Sequence, residues 1–466
     1  MVRRGFGLIL MGVLAACGGT EVTEQEDPGL VSLEGTLANA YVLAGEDTEM
    51  VARIRIGTSA EASGARPPIN TALVIDTSGS MEGAAIEHAK EASLAFLGAL
   101  GEGDRLSVVV FHSTTEVLLP STPIEDSNLA DLRARIEGME ATGTTDMAGG
   151  LQAGLQELMA NLEYDGINRM VLLGDGVPNS EANITALAQA AGERNITITA
   201  LGLGRDYNEV LMGDIAQLSG GHFEYIENSD RVLAVFQEEV LRMRQVFGRS
   251  AVVTLSPGPG VRIESVVGQN VSENNGSVQI ALGDLTQGEF RDLFVRTRVT
   301  GHREDARVEL LDAHLSFQDA VVNAGALERR VFLGLRATAD AEEVARNRNA
   351  DVERAAEQVQ AAAVTVQAVR MAREGDLERA RAVLQAAEDR ARGYATTAQS
   401  TEVLEQAERM EQLRGSLEAV APPSSMSDDD GDYETEDAPS QEPMPAPMRD
   451  STVREIHNEA MDALGW

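Results

Sequence analysis

The chain has 466 residues, enough for two or three domains, and its 43% hydrophobic content predicts that most of it folds. Asp and Glu outnumber Lys and Arg by 75 to 38, and the formal net charge of −37 argues against nucleic acid as a partner. We interpret this acidity as a solvated surface rather than as an acidic docking surface.

The N-terminus has the pattern of a targeting segment. Two arginines precede the apolar residues 6–14, a run too short to span a membrane, and the run leads into Ala-Ala-Cys. This resembles a bacterial lipoprotein signal, which implies that residues 1–16 are removed and that Cys17 is lipidated and anchors the protein to a membrane. Because Gly18 rather than Asp follows, analogy with lipoprotein sorting favours the outer membrane of a bacterial cell envelope.

The segment after the signal has two parts. Residues 17–33 are acidic and rich in turn-formers, which predicts a tether. Residues 34–68 include an alternating run from Met50 to Ile56, typical of a strand with one solvated face. No partner strand lies nearby in sequence, so we expect this strand to join the β-sandwich predicted further along the chain.

Polar side chains then follow a buried strand at a diagnostic spacing. Leu73 to Ile75 is an apolar, branched run, and Asp76, Ser78 and Ser80 follow it directly. A helical pattern begins at about Met81. Ligands bind at such strand-to-helix turns in open α/β sheets, and one carboxylate with two hydroxyls suits a small hard cation.

Two more loops carry the same chemistry. Residues 141–147, Ala-Thr-Gly-Thr-Thr-Asp-Met, open a second helix, and the apolar strand Met170 to Leu173 ends in Gly-Asp175-Gly. A surface turn rich in Asp, Ser and Gly would explain one such loop without any function. Three loops in the same strand-to-helix context favour a binding site.

Together the three loops resemble the metal-ion-dependent adhesion site of von Willebrand factor A domains. The resemblance covers residues 69–247 and implies an α/β fold, namely a Rossmann-like domain with a mostly parallel central sheet. Thr145 is preferred to Thr144 because it lies five residues before Gly150-Leu151, as in the family, and Gly174 stands where a Thr is usual. The implied metal ligands are Asp76, Ser78, Ser80, Thr145 and Asp175.

Only two of these five oxygens carry formal charge, so a bound divalent ion keeps electrophilic character and a position for a further ligand. The expected ion is Mg²⁺, with Mn²⁺ or Ca²⁺ as alternatives, because no thiol or imidazole belongs to the set. The resemblance implies that the ion bridges the domain to the Asp or Glu of a protein partner.

The rest of the chain changes character twice. Residues 248–336 consist of short strands separated by turns, which predicts an antiparallel β-sandwich. Residues 337–420 are rich in Ala, Glu, Arg and Gln and predict a helical bundle, with one long helix over about 339–373. Residues 421–450 have the composition of a disordered acidic, Pro-containing linker.

The last segment, residues 451–466, predicts a short amphipathic helix that docks on its own bundle or, alternatively, on a partner. The apolar residues that share one face of this helix are Val453, Ile456, Ala460, Ala463 and Leu464.

The sequence therefore favours a lipoprotein of the bacterial envelope that recruits a protein partner through a divalent metal. A second hypothesis is a structural assembly or oligomerisation factor in which the metal only stabilises the fold. We do not expect an enzyme, because the chain contains no His-Glu-x-x-His, no nucleophile elbow and no phosphate-binding loop.

Overall fold

The structure is a computed structural model, and it describes residues 27–60, 67–163, 165–204, 207–269, 271–418 and 451–464. The predicted signal peptide, Cys17, most of the tether and the predicted linker 421–450 lie outside the described residues. None of the described helices combines the length and the apolar character needed to cross a membrane.

The described part of the chain contains three sheets and a C-terminal group of helices. Its strands are β1 (Val31–Leu37), β2 (Tyr41–Leu43), β3 (Thr48–Thr58), β4 (Ile69–Asp76), β5 (Arg105–Phe111), β6 (Thr115–Pro123), β7 (Ile167–Gly174), β8 (Thr197–Leu203), β9 (Phe223–Ile226), β10 (Val246–Pro257), β11 (Val261–Val266), β12 (Ser272–Asn274), β13 (Ser277–Thr286), β14 (Phe290–Val299), β15 (Arg307–Asp319) and β16 (Ala326–Thr338). Its helices are α1 (Ala84–Ala99), α2 (Leu129–Glu137), α3 (Met147–Ala160), α4 (Ile184–Gly192), α5 (Glu209–Ser219), α6 (Val232–Arg244), α7 (Ala341–Arg346), α8 (Ala350–Arg373), α9 (Leu377–Ala398), α10 (Thr401–Glu418) and α11 (Ser451–Ala463).

The first domain is built on a six-stranded sheet in the order β6-β5-β4-β7-β8-β9. Its strands are parallel except for β6, which runs antiparallel at one edge. Every residue of β4, β7 and β8 is buried, as expected for strands covered by helices on both faces. The predicted α/β class and the mostly parallel sheet are confirmed.

The second domain is a sandwich of two sheets, β1-β3-β14-β11 and β12-β13-β10-β15-β16-β2. All its neighbouring strands are antiparallel except β16 and β2. Strand β3, which precedes the first domain in sequence, pairs with β14 from Thr48 opposite Val299 to Gly57 opposite Phe290. The first domain is therefore inserted into the sandwich and is joined to it by two chain crossings, from β3 to β4 and from α6 to β10.

Two boundaries differ from the sequence prediction. Strand β1 begins at Val31, inside the predicted tether, because the Val31 side chain is buried in the sandwich core and the residue pairs with Thr58. The helix predicted over 339–373 is two helices, α7 and α8. Asn349 separates them, and its side chain caps α8 by accepting a hydrogen bond from the Val352 amide.

Helix α8 connects all parts of the molecule. Its first half packs on the sandwich through Val352 and Ala356, and its middle packs on the inserted domain through Ala362 and Val366. Its last turns form the core of the helical region with α9 and α10. The inserted domain therefore has a fixed packing partner outside its own sequence range.

Helix α11 docks on its own chain. Val453 and Ile456 enter the core of the helical region, and Met461 and Leu464 pack against the inserted domain. Ala463, which was predicted to share this face, is exposed. Two polar residues of α11, Arg454 and His457, are buried, although apolar periodicity does not detect them.

Candidate functional site

Three loops at the carboxyl ends of the parallel strands bring the predicted site together. Asp76 is the last residue of β4, Asp175 directly follows β7, and Thr145 lies in the loop that leads into α3. Backbone hydrogen bonds join the loop after β4 to the loop before α3: the Gly79 amide donates to the Gly143 carbonyl at 3.0 Å, and the Thr142 amide donates to the Thr77 carbonyl at 2.7 Å. The sheet and these bonds fix the relative positions of the loops.

The oxygens of the five predicted residues converge. The Ser78 and Ser80 hydroxyls are 3.0 Å apart, and the Ser80 hydroxyl donates to Asp175 Oδ1 at 2.7 Å. A Cβ atom at Gly176 would lie 3.3 Å from Thr145 Oγ1 and 3.9 Å from Ser80 Oγ, which places the Thr145 hydroxyl at the same cluster.

Asp76 lies at the bottom of this cluster and is completely buried. Its Oδ1 accepts a hydrogen bond from the Ser78 amide at 2.8 Å, whereas its Oδ2 is buried without a hydrogen-bond partner. Burial and the nearby Asp175 carboxylate raise the pKa of Asp76 to about 7, although hydrogen bonds from Ser78 and from the Asp175 backbone lower it. The carboxylates of Asp76 and Asp175 thus face one small space.

The structure distinguishes the two neighbouring threonines. Thr145 is buried at the cluster, whereas Thr144 is exposed and its hydroxyl accepts a hydrogen bond from Asn179 Nδ2 at 2.9 Å. The next residue, Asp146, caps α3 by accepting a hydrogen bond from the Gly149 amide at 3.1 Å. This cap orients the start of the helix, so the geometry agrees with the choice of Thr145 rather than Thr144.

Residues 70–239 match the family model of the von Willebrand factor type A (VWA) domain. These residues form a VWA domain. The solved structure of von Willebrand factor type A from Catenulispora acidiphila is 19% identical, with a TM-score of 0.64 and coverage of 85% of this chain and 91% of that chain. The ArnB paralog VWA2 from Sulfolobus acidocaldarius is 16% identical, with a TM-score of 0.58 and coverage of 94% and 99%. At these identities both likenesses show the fold alone.

Relatives by sequence cover less of the chain. An uncharacterised protein of Synechocystis sp. is 31% identical over 255 residues, which are 52% of this chain and 60% of the relative. The uncharacterised protein YfbK of Escherichia coli is 30% identical over 183 residues, 38% of this chain and 32% of the relative. This chain therefore spans less than two thirds of the length of either protein. VWA domains are typically non-enzymatic interaction modules and commonly bind a divalent metal.

The oxygens of this VWA domain fit a hard divalent cation. Two carboxylates and three hydroxyls face one another, and the buried Asp76 Oδ2 has no donor within the described residues. Such an atom is costly to bury unless a cation or a hydrogen-bond donor satisfies it. No group of three or more His, Cys, Asp and Glu side chains forms a metal cluster anywhere in the described residues, so the mixed hydroxyl and carboxylate set is the candidate.

Two residues at the site were not found from the sequence. Asn179 lies four residues after Asp175, and its Oδ1 accepts a hydrogen bond from the Thr145 amide at 3.3 Å. Ser113 follows β5, and its hydroxyl accepts a hydrogen bond from the Thr144 amide at 3.0 Å. Neither residue has a pattern of its own, and only the order of the strands brings their loops together.

A second group of buried charges lies near the amino ends of β7 and β8, away from the metal-site loops. Glu239 of α6 is completely buried and accepts a hydrogen bond from the Thr199 hydroxyl at 2.7 Å. His222 Nε2 lies 3.1 Å from Glu239 Oε1, and Arg169 Nη1 lies 3.7 Å from Glu239 Oε2. Burial alone would raise the pKa of Glu239, but the nearby His222 imidazole, the Arg169 guanidinium and the hydrogen bond from Thr199 lower it to about 2.

Proposed function

We propose that the VWA domain holds a divalent metal ion, Mg²⁺ or alternatively Mn²⁺ or Ca²⁺, between the three loops. Asp76, Ser78, Ser80, Thr145 and Asp175 would hold it. The observation that supports this most directly is the buried, unpaired Oδ2 of Asp76 opposite a second carboxylate. A bound ion would offset the repulsion between Asp76 and Asp175 and satisfy this oxygen.

We propose further that the ion recruits a protein partner by accepting its Asp or Glu as an additional ligand. Three of the five protein oxygens are neutral hydroxyls, so the ion remains attractive to an anionic group. Ser80 and Asp175 are at least partly accessible, which leaves the outer side of the site open to a partner. On this proposal the chain's own residues bind and orient the ion, and the chain carries out no catalysis.

The proposed setting is the surface of a bacterial envelope. The lipoprotein-like signal and Cys17 support anchoring by a lipid, and Gly18 supports the outer membrane. Anchoring can be tested by substituting Cys17→Ser and fractionating cells. We expect the variant to remain unprocessed or to leave the membrane fraction, and membrane association identical to that of the wild type would contradict the lipid anchor.

The recruitment proposal is tested by capturing partners from envelope extracts with the wild type and with Asp175→Ala, each with Mg²⁺ or with EDTA. Asp131→Ala, an exposed carboxylate of α2, is the matched control. We expect a partner that is captured only with Mg²⁺ and only by the wild type and the control.

Two results would contradict recruitment through the metal. The first is capture that EDTA leaves unchanged. The second is a large drop in the melting temperature of Asp175→Ala with unchanged capture, which supports the alternative of an assembly factor in which the metal stabilises the fold.

A further inference from the structure

Thr144 occupies an unusual position beside the predicted metal ligand Thr145. Its hydroxyl accepts a hydrogen bond from Asn179 Nδ2 at 2.9 Å and is placed to donate to Ser113 Oγ at 3.3 Å. Its amide also donates to Ser113 Oγ, at 3.0 Å. One exposed threonine thus connects three loops of the VWA domain: the loop after β5, the loop before α3 and the loop after β7.

The Ser113 side of this connection requires a glycine. Gly143 has φ of +74°, and a Cβ atom at this position would lie 2.3 Å from Ser113 Oγ. Any side chain at residue 143 would therefore both strain the backbone and displace Ser113. The sequence Gly-Thr-Thr is the arrangement that lets the loop before α3 approach the loop after β5 this closely.

The Asn179 side is a set of three hydrogen bonds. The Asn179 amide donates to the Thr145 carbonyl at 2.9 Å, its Oδ1 accepts from the Thr145 amide at 3.3 Å, and its Nδ2 donates to the Thr144 hydroxyl. Thr145 is thereby held through its backbone by a residue that lies four positions after the ligand Asp175. The loops that carry these two ligands cannot separate without breaking these bonds.

We infer that Thr144 is a positioning residue, which with Ser113 and Asn179 forms a polar clasp that sets the place of the Thr145 hydroxyl and so the metal affinity. None of the three belongs to the ligand set. This inference rests on the proposed metal binding at the five ligands.

The physical reason is pre-organisation. A neutral hydroxyl is a weak ligand, so it contributes to affinity only if the free protein already holds it near its bound position. Hydrogen bonds to the groups that carry a metal ligand commonly change affinity by about 10- to 100-fold when they are removed. The clasp is exposed to water, which can replace part of its hydrogen bonding, so we expect the lower end of that range.

The test compares two substitutions at one position that differ in whether the hydroxyl is kept. Thr144→Val removes the hydroxyl and keeps the shape, whereas Thr144→Ser keeps the hydroxyl. Asn179→Ala removes the opposite partner. Asn128→Ala is the matched control, because Asn128 also bridges a loop, by donating to the Pro123 carbonyl at 2.9 Å, at the far end of the sheet.

Mg²⁺ affinity is measured by calorimetry on the full chain, and exchange of the Thr145 amide hydrogen is measured in the metal-free protein. We expect Thr144→Val and Asn179→Ala to weaken Mg²⁺ about 10-fold and to speed exchange of the Thr145 amide, which the clasp protects. Thr144→Ser and Asn128→Ala should stay within about twofold of the wild type.

The outcomes separate this inference from the proposal on which it depends. If the wild type binds no divalent ion, the proposed metal site itself fails. If the wild type binds Mg²⁺ and Thr144→Val binds it equally well, the clasp has no positioning role. If Thr144→Val lowers the melting temperature of the metal-free protein but leaves the Mg²⁺ affinity unchanged, Thr144 is only a structural residue.

Discussion

The two ends of the VWA sheet each bury a carboxylate, and they treat it in opposite ways. At the carboxyl end, burial and the neighbouring Asp175 carboxylate raise the pKa of Asp76 to about 7. At the amino end, Glu239 faces His222 and Arg169, and its pKa is lowered to about 2. Both side chains are completely buried, so depth alone does not explain the difference.

On the proposed function, this difference separates a structural charge from a functional one. Arg169 also bonds to Asp284 of the sandwich at 2.6 Å, so the amino-end network joins two domains and has its countercharges within the protein. At the carboxyl end, the proposed metal ion would supply positive charge beside the buried Asp76 carboxylate.

The largest effect is expected at the amino end. Glu239→Ala should lower the free energy of unfolding by about 3–5 kcal/mol, because it leaves the buried Arg169 without one of its partners. Urea denaturation measures this change. Glu238→Ala, the exposed neighbour on the same helix, should stay within about 0.5 kcal/mol of the wild type. A small loss for Glu239→Ala would mean that Asp284 alone compensates Arg169.

An intermediate effect is expected when metal is added. Mg²⁺ at 100 times its dissociation constant should raise the free energy of unfolding of the wild type by about 2.7 kcal/mol. Asp175→Asn should remove this gain because it removes one of the two charged ligands. Urea denaturation with Mg²⁺ and with EDTA measures this gain for both proteins. If Mg²⁺ raised the free energy of unfolding of Asp175→Asn as much as that of the wild type, the ion would bind elsewhere.

The smallest expected effect is that of Asp76→Asn, which should raise stability where Glu239→Ala lowers it. In EDTA at pH 8, Asp76→Asn should raise the free energy of unfolding by about 1 kcal/mol or more, since the substitution removes a buried charge whose pKa is raised. Asparagine keeps an oxygen that can accept from the Ser78 amide. A variant less stable than the wild type would show that the carboxylate at this end is already compensated, and the contrast with Glu239 would disappear.

The strands and the convergence of the five proposed ligands could be predicted because their signals are local. The apolar runs of β4 and β7 end in Asp at the sheet edge, and the spacing of Asp76, Ser78 and Ser80 lies within one loop. The bounds of β15 were harder to predict. The sequence predicts short strands in this region, whereas β15 continues to Asp319 because buried Leu315 and Phe317 alternate with polar residues near its end.

The parts that could not be predicted depend on contacts distant in sequence. Arg169 and Asp284 are separated by 115 residues, and Ser113 and Thr144 by 31. Nothing in either local sequence marks these residues, because arginines, aspartates and serines are ordinary surface residues until the fold buries or pairs them. The Arg169–Asp284 ion pair and the Ser113–Thr144 hydrogen bond form only after the order of the strands is fixed.

The two chain crossings have a mechanical consequence. A force that pulls on a partner at the metal site reaches the sandwich along the chain, through β3 on one side and β10 on the other. Both are interior strands, each paired on two sides, and they belong to different sheets. A pull along such a strand loads many ladder hydrogen bonds at once, whereas an edge strand can be peeled away one bond at a time. A load applied at the proposed metal site would thus be shared by both layers of the sandwich.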